Sequence, residues 1–258
     1  MAGMFREDLR VAANDHHATV LDQYGDEVGK GVSNSTIYYH GLPGRMGHEI
    51  PTAYTHEPTT NVEVLPLDTV AAIDTIGLDQ HVSVLNFASY KNPGGMFLNG
   101  SRAQEESLCH ASVLYEVLSE FENTYYAQNR KMLNYGMYED IGIYSKSLLF
   151  DKPRKRKVDV MTCAAPNMHA LQWHREQVKL NAPAVYNRCA FVLDCMHKHD
   201  LDVIILGAFG CGVFKQDPAL VARAFHEALN TRYFKRVIFA IPDESSKNYR
   251  AFQTEFLS

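Results

Sequence analysis

From residue 61 onward, short apolar segments alternate with longer amphipathic ones, and this alternation limits the possible folds more than any other feature of the sequence. Strands are predicted at 61–65, 81–87, 158–164, 203–206 and 237–241. Helices are predicted at 68–76, 104–121, 177–197 and 217–229, with a short helix at the end of the chain. Strands that alternate with helices of this length predict an α/β fold, in which helices cover both faces of a mainly parallel sheet.

The first 60 residues have a different pattern. Apolar residues at helical spacing predict a helix over 6–24, followed by a segment rich in Gly and Pro with a possible short strand at 36–40. We assign residues 1–60 to a helical and loop extension that packs on a core of residues 61–258. We expect the two parts to form one domain.

Composition and charge exclude several classes of protein. The chain has 258 residues and no run of about 20 apolar residues that could span a bilayer. Its first residues, MAGMFREDLR, lack the pattern of a signal peptide, so we expect a cytoplasmic protein without membrane contact. The five cysteines show no CxxC spacing, which favours free thiols. A net charge of −5 argues against broad nucleic-acid binding but does not exclude an anionic ligand.

The first candidate site follows the strand predicted at 81–87. That strand ends near Asn86, a loop containing Gly94 and Gly95 follows, and the next helix begins with Gln104, Glu105 and Glu106. Acidic residues in a first helical turn often only complement the helix dipole. Here they follow a strand-end asparagine and a glycine loop that lets the backbone approach a ligand closely. This combination predicts that one carboxylate orients sugar hydroxyls and the other transfers a proton.

The second candidate site follows the strand predicted at 203–206. Gly207, Gly210 and Gly212 are spaced so that consecutive N–H groups can surround a diphosphate, and Phe214 offers an aromatic face to a sugar or base. A dinucleotide site of the GxGxxG type is the main alternative. Its glycine order differs, and it belongs near the start of a βαβ unit, whereas this segment lies near the end of the chain. A tight turn without a ligand is the other reading.

Together these residues resemble the bacterial-type poly(ADP-ribose) glycohydrolases, a branch of the macrodomain superfamily. The family signature is three glycines, a gap of six to eight residues and Gln-Glu-Glu. The chain matches it with Gly94 and Gly95, a seven-residue gap (97–103) and Gln104-Glu105-Glu106, and the segment GAFGCGVF (207–214) resembles the family's phosphate loop. The resemblance implies a three-layer α/β/α macrodomain with a mixed, largely parallel central sheet and an N-terminal helical extension.

The resemblance also implies an activity and a set of site residues. Glu106 corresponds to the catalytic glutamate of an ADP-ribose glycohydrolase, and Glu105 and Asn86 correspond to residues near the distal ribose. The other residues expected to contact ADP-ribose are Gly94, Gly95, Gln104, Gly207, Ala208, Gly210, Cys211, Gly212, Val213 and Phe214. We expect no metal ion and no cofactor. The expected partners are ADP-ribose and ADP-ribosylated protein or polymer, with nucleic acid only if it is itself ADP-ribosylated, and the expected state is a monomer.

Two other functions stay open. A macrodomain of this kind can be a reader that binds ADP-ribose without cleaving it, or a hydrolase of a small derivative such as O-acetyl-ADP-ribose. Retention of both glutamates favours an enzyme. Met96 replaces the third signature glycine, which favours a reader or a narrower range of substrates, such as single ADP-ribose groups. The basic run 152–157 (KPRKRK) is interpreted as a solvated loop, and the histidine pairs as unrelated to metal binding.

Overall fold

The strands form one eight-stranded sheet. The computed structural model describes residues 5–41, 47–49 and 61–257. In chain order the strands are β1 (Ser35–Tyr39), β2 (His48–Glu49), β3 (Asn61–Leu65), β4 (Val82–Phe87), β5 (Ile141–Phe150), β6 (Arg156–Cys163), β7 (Val203–Leu206) and β8 (Arg236–Ala240). Their order across the sheet is β2-β1-β5-β6-β4-β7-β8-β3. Only β5 runs antiparallel to its neighbours, β1 and β6, so the prediction of a mixed, largely parallel sheet is confirmed.

Helices cover both faces of this sheet. Within the described residues they are α1 (Arg6–Gln23), α2 (Gly25–Ser33), α3 (Thr69–Asp74), α4 (Gln104–Ala111), α5 (Leu114–Ser119), α6 (Ala127–Asn129), α7 (Met168–Leu171), α8 (Asn181–His197), α9 (Pro218–Leu229) and α10 (Lys247–Leu257). Helices α1, α3, α4 and α5 bury their apolar residues with Val84 and Ile205 on one face. Helices α8, α9 and α10 do so with Leu85 and Ile204 on the other. Because side chains alternate along a strand, neighbouring residues of β4 and β7 serve two separate cores. The predicted three-layer architecture is confirmed.

The single helix predicted over 104–121 is wrong, because the chain forms two helices there. Ser112 between them is extended, with φ −156° and ψ 177°, and pairs with Phe150 as an isolated bridge. Its hydroxyl donates to Leu108 O at 2.7 Å and accepts from Leu114 N at 3.2 Å. A serine that bonds the neighbouring backbone in this way competes with the helical hydrogen bonds.

Strand β5 is absent from the sequence-based prediction. It lies inside the sheet between β1 and β6, and most of its residues are buried whichever face they occupy. A register shift between Ser145 and Leu148 interrupts its pairing with β6, and Ser147 there has φ +54°. Lys146 and Ser147 are exposed at this bulge. These two polar residues interrupt the apolar pattern of the segment, so a search for periodic apolar residues does not identify the strand.

The boundary proposed after residue 60 adjoins residues 50–60, which lie outside the described residues, so it stays a prediction. Strand β1, which precedes that boundary, pairs with β5 along its whole length. Both parts of the chain thus contribute to the same sheet. Among the described helices, none combines the length and the apolar character that crossing a membrane requires.

The strand order predicts a ligand crevice at the carboxyl ends of β4 and β7. These strands are parallel neighbours, with Val82 opposite Val203 and Val84 opposite Ile205. The chain leaves β4 toward β5 on one side of the sheet and leaves β7 toward β8 on the other. In open α/β sheets, ligands bind beyond the carboxyl ends of the strands at such a point.

Candidate functional site

The two candidate segments meet at the ends of β4 and β7, as predicted. The Phe87 ring, at the end of β4, lies 5.6 Å from the Phe209 ring in the turn that follows β7. A Cβ added to Gly207 would stand 3.0 Å from Phe87 Cζ. The last residue of β4 and the turn after β7 therefore pack directly against each other.

Hydrogen bonds of the Gln104 side chain connect the start of α4 to the end of β4. Its Oε1 accepts from Phe87 N at 2.8 Å, and its Nε2 donates to Leu85 O at 2.7 Å and to Thr69 Oγ1 at 3.1 Å. Both amide hydrogens are thus used within the protein. This arrangement positions the next two residues at the crevice, and direct contact between Gln104 and a ligand stays a prediction.

The Glu105 carboxylate is buried at the bottom of the site. It accepts from Ser89 N at 2.7 Å and from Asn86 Nδ2 at 3.2 Å, and the same Nδ2 lies 3.3 Å from Thr162 Oγ1. Burial raises the pKa of Glu105 to about 8; the neighbouring Glu106 also raises it, and the bonds from Ser89 and Asn86 oppose the shift. A carboxyl with this pKa is mostly protonated at neutral pH and can donate a hydrogen bond.

The Glu106 carboxylate joins the helix to the glycine loop. Its Oε2 accepts from Ala103 N at 3.0 Å, which caps α4, and its Oε1 accepts from Met96 N at 3.0 Å. The capping role that any acidic residue could have here is therefore present. The contact with Met96 is an additional one, and it places the second oxygen against the loop that follows β4.

The glycine loop lies directly on the two carboxylates. Gly95 has φ +62°, and an added Cβ would stand 2.6 Å from Glu106 Oε1 and 3.0 Å from Glu105 Oε2. Only glycine adopts this backbone at such close approach without strain. Met96, in place of the third signature glycine, has φ −116° and ψ 37°, and the residue is 44% exposed. The third position therefore does not need the conformational freedom of glycine.

The turn after β7 presents unpaired backbone donors. Within the part of the chain that the structure describes, no hydrogen bond engages the N–H groups of Ala208, Gly210, Gly212, Val213 and Phe214. Consecutive free N–H groups of this kind make an anion site. The half-buried Phe214 packs edge-on against the Tyr138 ring at 6.0 Å. Burial raises the pKa of the Cys211 thiol to about 12, so it stays neutral there.

Ser89 and Thr162 are two further partners at the site that were not predicted from the sequence. Thr162 is in β6 opposite Asn86, and Ser89 follows β4 by two residues. Their positions at strand ends beside Asn86 are a signal that could have identified them. The contribution of Ser89 is its backbone N–H, which the side-chain identity does not reveal.

The basic side chains of the run 152–157 interact with other segments of the chain. Its partners are the His16 ring for Lys152, the Asp74 carboxylate for Arg154, the Tyr24 ring for Lys155, four carbonyl groups at 73–80 for Arg156 and the Glu27 carboxylate for Lys157. Two of these cations, Arg156 and Lys157, belong to β6, so the loop prediction is wrong for them. Within the described ranges, no three His, Cys, Asp or Glu side chains are grouped to hold a metal ion.

Comparison with known proteins identifies the family. The pattern of the microbial-type PARG catalytic domain, where PARG is poly(ADP-ribose) glycohydrolase, matches residues 14–152, more than half of the chain. The PARG of Thermomonospora curvata bound to the inhibitor ADP-HPD is 28% identical, with a TM-score of 0.79 over 97% of this chain and 100% of that one. The PARG of Deinococcus radiodurans in complex with ADP-ribose is 30% identical, with a TM-score of 0.75 over 89% of this chain and 96% of that one. No curated protein matches the chain. The chain belongs to the family of microbial-type PARG catalytic domains.

Proposed function

We propose that the chain hydrolyses the ribosyl O-glycosidic bond of poly- or mono-ADP-ribosylated targets, with Glu106 as the general acid and base. The observation that carries this proposal is the Glu106 carboxylate, held by Met96 N against the glycine loop at the crevice between β4 and β7. The ADP-ribose and ADP-HPD bound to the two solved relatives support the same choice of ligand. We also propose that the protein acts as a monomer.

The turn after β7 is proposed to hold the diphosphate. Five of its N–H groups have no hydrogen-bond partner among the described residues, and they supply fixed partial positive charge. Binding an anion in this way does not require an excess of basic side chains. This explains how a chain with a net charge of −5 can take an anionic ligand. Phe214 is at the end of the turn, where its ring can pack against a sugar or base.

The two carboxyl groups then have different tasks. Glu106 protonates the departing oxygen as the bond between this oxygen and the anomeric carbon breaks, through an oxocarbenium-like transition state. The Glu106 carboxylate next takes a proton from water, and the water oxygen forms the new bond to the anomeric carbon. The products are free ADP-ribose and an acceptor that keeps its oxygen as a hydroxyl group. Glu105 and Asn86 hold ribose hydroxyls and fix the sugar for this reaction.

A panel of substrates tests this function. Purified protein is given poly(ADP-ribose), a mono-ADP-ribosylated protein and O-acetyl-ADP-ribose, and the release of ADP-ribose is measured beside the affinity for ADP-ribose. We expect binding together with release from the polymer or the modified protein. Binding without turnover of any substrate would make the chain a reader. Turnover of O-acetyl-ADP-ribose alone would contradict the proposed glycosidic bond, and a lack of binding would contradict the site.

The protonation of Glu105 predicts a pH dependence of stability. Its pKa in the folded chain, about 8, lies above its ordinary value of 4.5, so the fold favours the protonated form. This contribution to stability is complete below about pH 4.5 and is lost as the pH rises through about 8. Since Glu105→Gln removes the titration, we expect the Tm of the wild type minus that of the variant to fall between about pH 5 and pH 9. This difference in Tm is measured by thermal unfolding of both proteins without ligand over that pH range. A difference in Tm that does not change with pH would refute the raised pKa of Glu105.

A further inference from the structure

We propose that Gln216 is a positioning residue for diphosphate binding, acting through the turn after β7, an inference that rests on the proposed function. Gln216 follows the turn by two residues and is 3% exposed. Its side-chain amide is fully engaged in buried hydrogen bonds with other segments of the chain. Its effect on binding is therefore indirect.

The amide of Gln216 joins three segments of the chain. Its Nε2 donates to Pro166 O and to Asn181 Oδ1, each at 2.8 Å, and its Oε1 accepts from Asn181 Nδ2 at 2.9 Å. Pro166 is in the loop after β6, and Asn181 is the first residue of α8. Both hydrogens of the amide are used, and Asn181 is itself buried. A glutamine so fully bonded holds its own backbone in one place.

That backbone in turn fixes the shape of the turn. Gln216 N donates to Gly210 O at 3.1 Å. Gly210 has φ +75°, and an added Cβ would stand 2.6 Å from Ala165 Cβ and 3.1 Å from Gln216 Cγ. Gly210 is thus packed between the loop after β6 and the stem of Gln216. Lys215, just before Gln216, also has a positive φ of +59°.

Loss of the Gln216 amide should act on the diphosphate more than on the rest of the ligand. Without it, Asn181 and Pro166 O lose buried partners, and the backbone N–H that donates to Gly210 O is no longer held in place by the Gln216 side chain. The free N–H groups of the turn would then no longer converge on one anion. Sugar and base contacts made by other parts of the site would persist.

The experiment compares two probes, ADP-ribose and adenosine, the second of which has the base and a sugar but no phosphate. We expect Gln216→Ala to weaken ADP-ribose binding by roughly ten- to a hundredfold and adenosine binding very little. Gln216→Met has nearly the same size and no charge, but it cannot donate to Pro166 O or accept from Asn181 Nδ2. It should weaken ADP-ribose binding in the same selective way and keeps the test valid if the alanine variant does not fold.

Two controls separate positioning from general destabilisation. Val192→Ala removes buried apolar volume from α8 and should lower Tm without changing the ratio of the two affinities. Gln253→Ala, at an exposed position of α10, should change neither the Tm nor the ratio of the two affinities. The proposal is overturned if Gln216→Met binds both probes like the wild type, or loses both equally. A wild type that does not bind ADP-ribose would instead refute the proposed function.

Discussion

Glu106→Gln is expected to lower the release of ADP-ribose by a factor of roughly 10²–10⁴, the usual contribution of general acid–base catalysis, while ADP-ribose still binds. The amide has nearly the shape of the carboxylate but cannot protonate the departing oxygen. Its NH₂ group must also face either Met96 N–H or Ala103 N–H, where the carboxylate accepts both. We therefore expect a lower Tm as well, so turnover should be measured below the unfolding transition and beside the affinity for ADP-ribose.

Glu116→Gln is the matched control for this variant. Glu116 is a buried carboxyl on the same face of the sheet, 4% exposed, and its Oε1 lies 2.8 Å from His17 Nδ1. The same chemical change there should leave turnover close to that of the wild type. Turnover by Glu106→Gln at the wild-type rate, with ADP-ribose still bound, would remove Glu106 from the mechanism. An equal loss of turnover in both variants would mean that the effect comes from burying a neutral amide and not from the removal of a catalytic carboxyl group.

The sequence predicted the strands that bring the two candidate segments together, because the signals of these strands are local. Strands β3 and β7 have the predicted bounds, since each is a short, mostly apolar run that ends at a turn signal. The glycine loop and the two glutamates follow one of the parallel strands, and the glycine turn follows another. Parallel neighbours in a sheet bring such segments to the same edge, so the topology alone joins residues more than 100 positions apart.

What the sequence did not predict depends on contacts between distant segments. Strand β5 is identified by its two antiparallel neighbours, not by a period in its own residues. The break at Ser112 follows from its pairing with Phe150 and its bond to the His16 ring, and helix propensity carries no information on either. Gln216 has the same limitation: a glutamine in a loop looks solvated until Asn181 and Pro166 are placed beside it.

Gly95→Ala is expected to reduce turnover by at least roughly a hundredfold, although alanine carries no functional group. The new methyl group would need a backbone with φ +62°, which costs an L-residue about 1–2 kcal/mol. It would also stand 2.6 Å from Glu106 Oε1, so either the loop or the carboxylate must move. We expect either movement to disturb the bond from Met96 N to Glu106 and to displace the proposed proton donor from the sugar. Turnover, ADP-ribose affinity and Tm should be measured together.

Gly29→Ala provides the matched control, because no atom lies within 4 Å of its added Cβ and the residue is in α2. In a helix this change should raise stability by about 1 kcal/mol, and turnover should not change. Near-wild-type turnover by Gly95→Ala would mean that the carboxylate tolerates displacement, which contradicts the geometry proposed for catalysis. A lower Tm with unchanged turnover of the folded enzyme would restrict Gly95 to a role in folding. We expect the opposite: the fall in turnover should exceed what the loss of folded protein explains, because the methyl group acts on the Glu106 carboxylate itself.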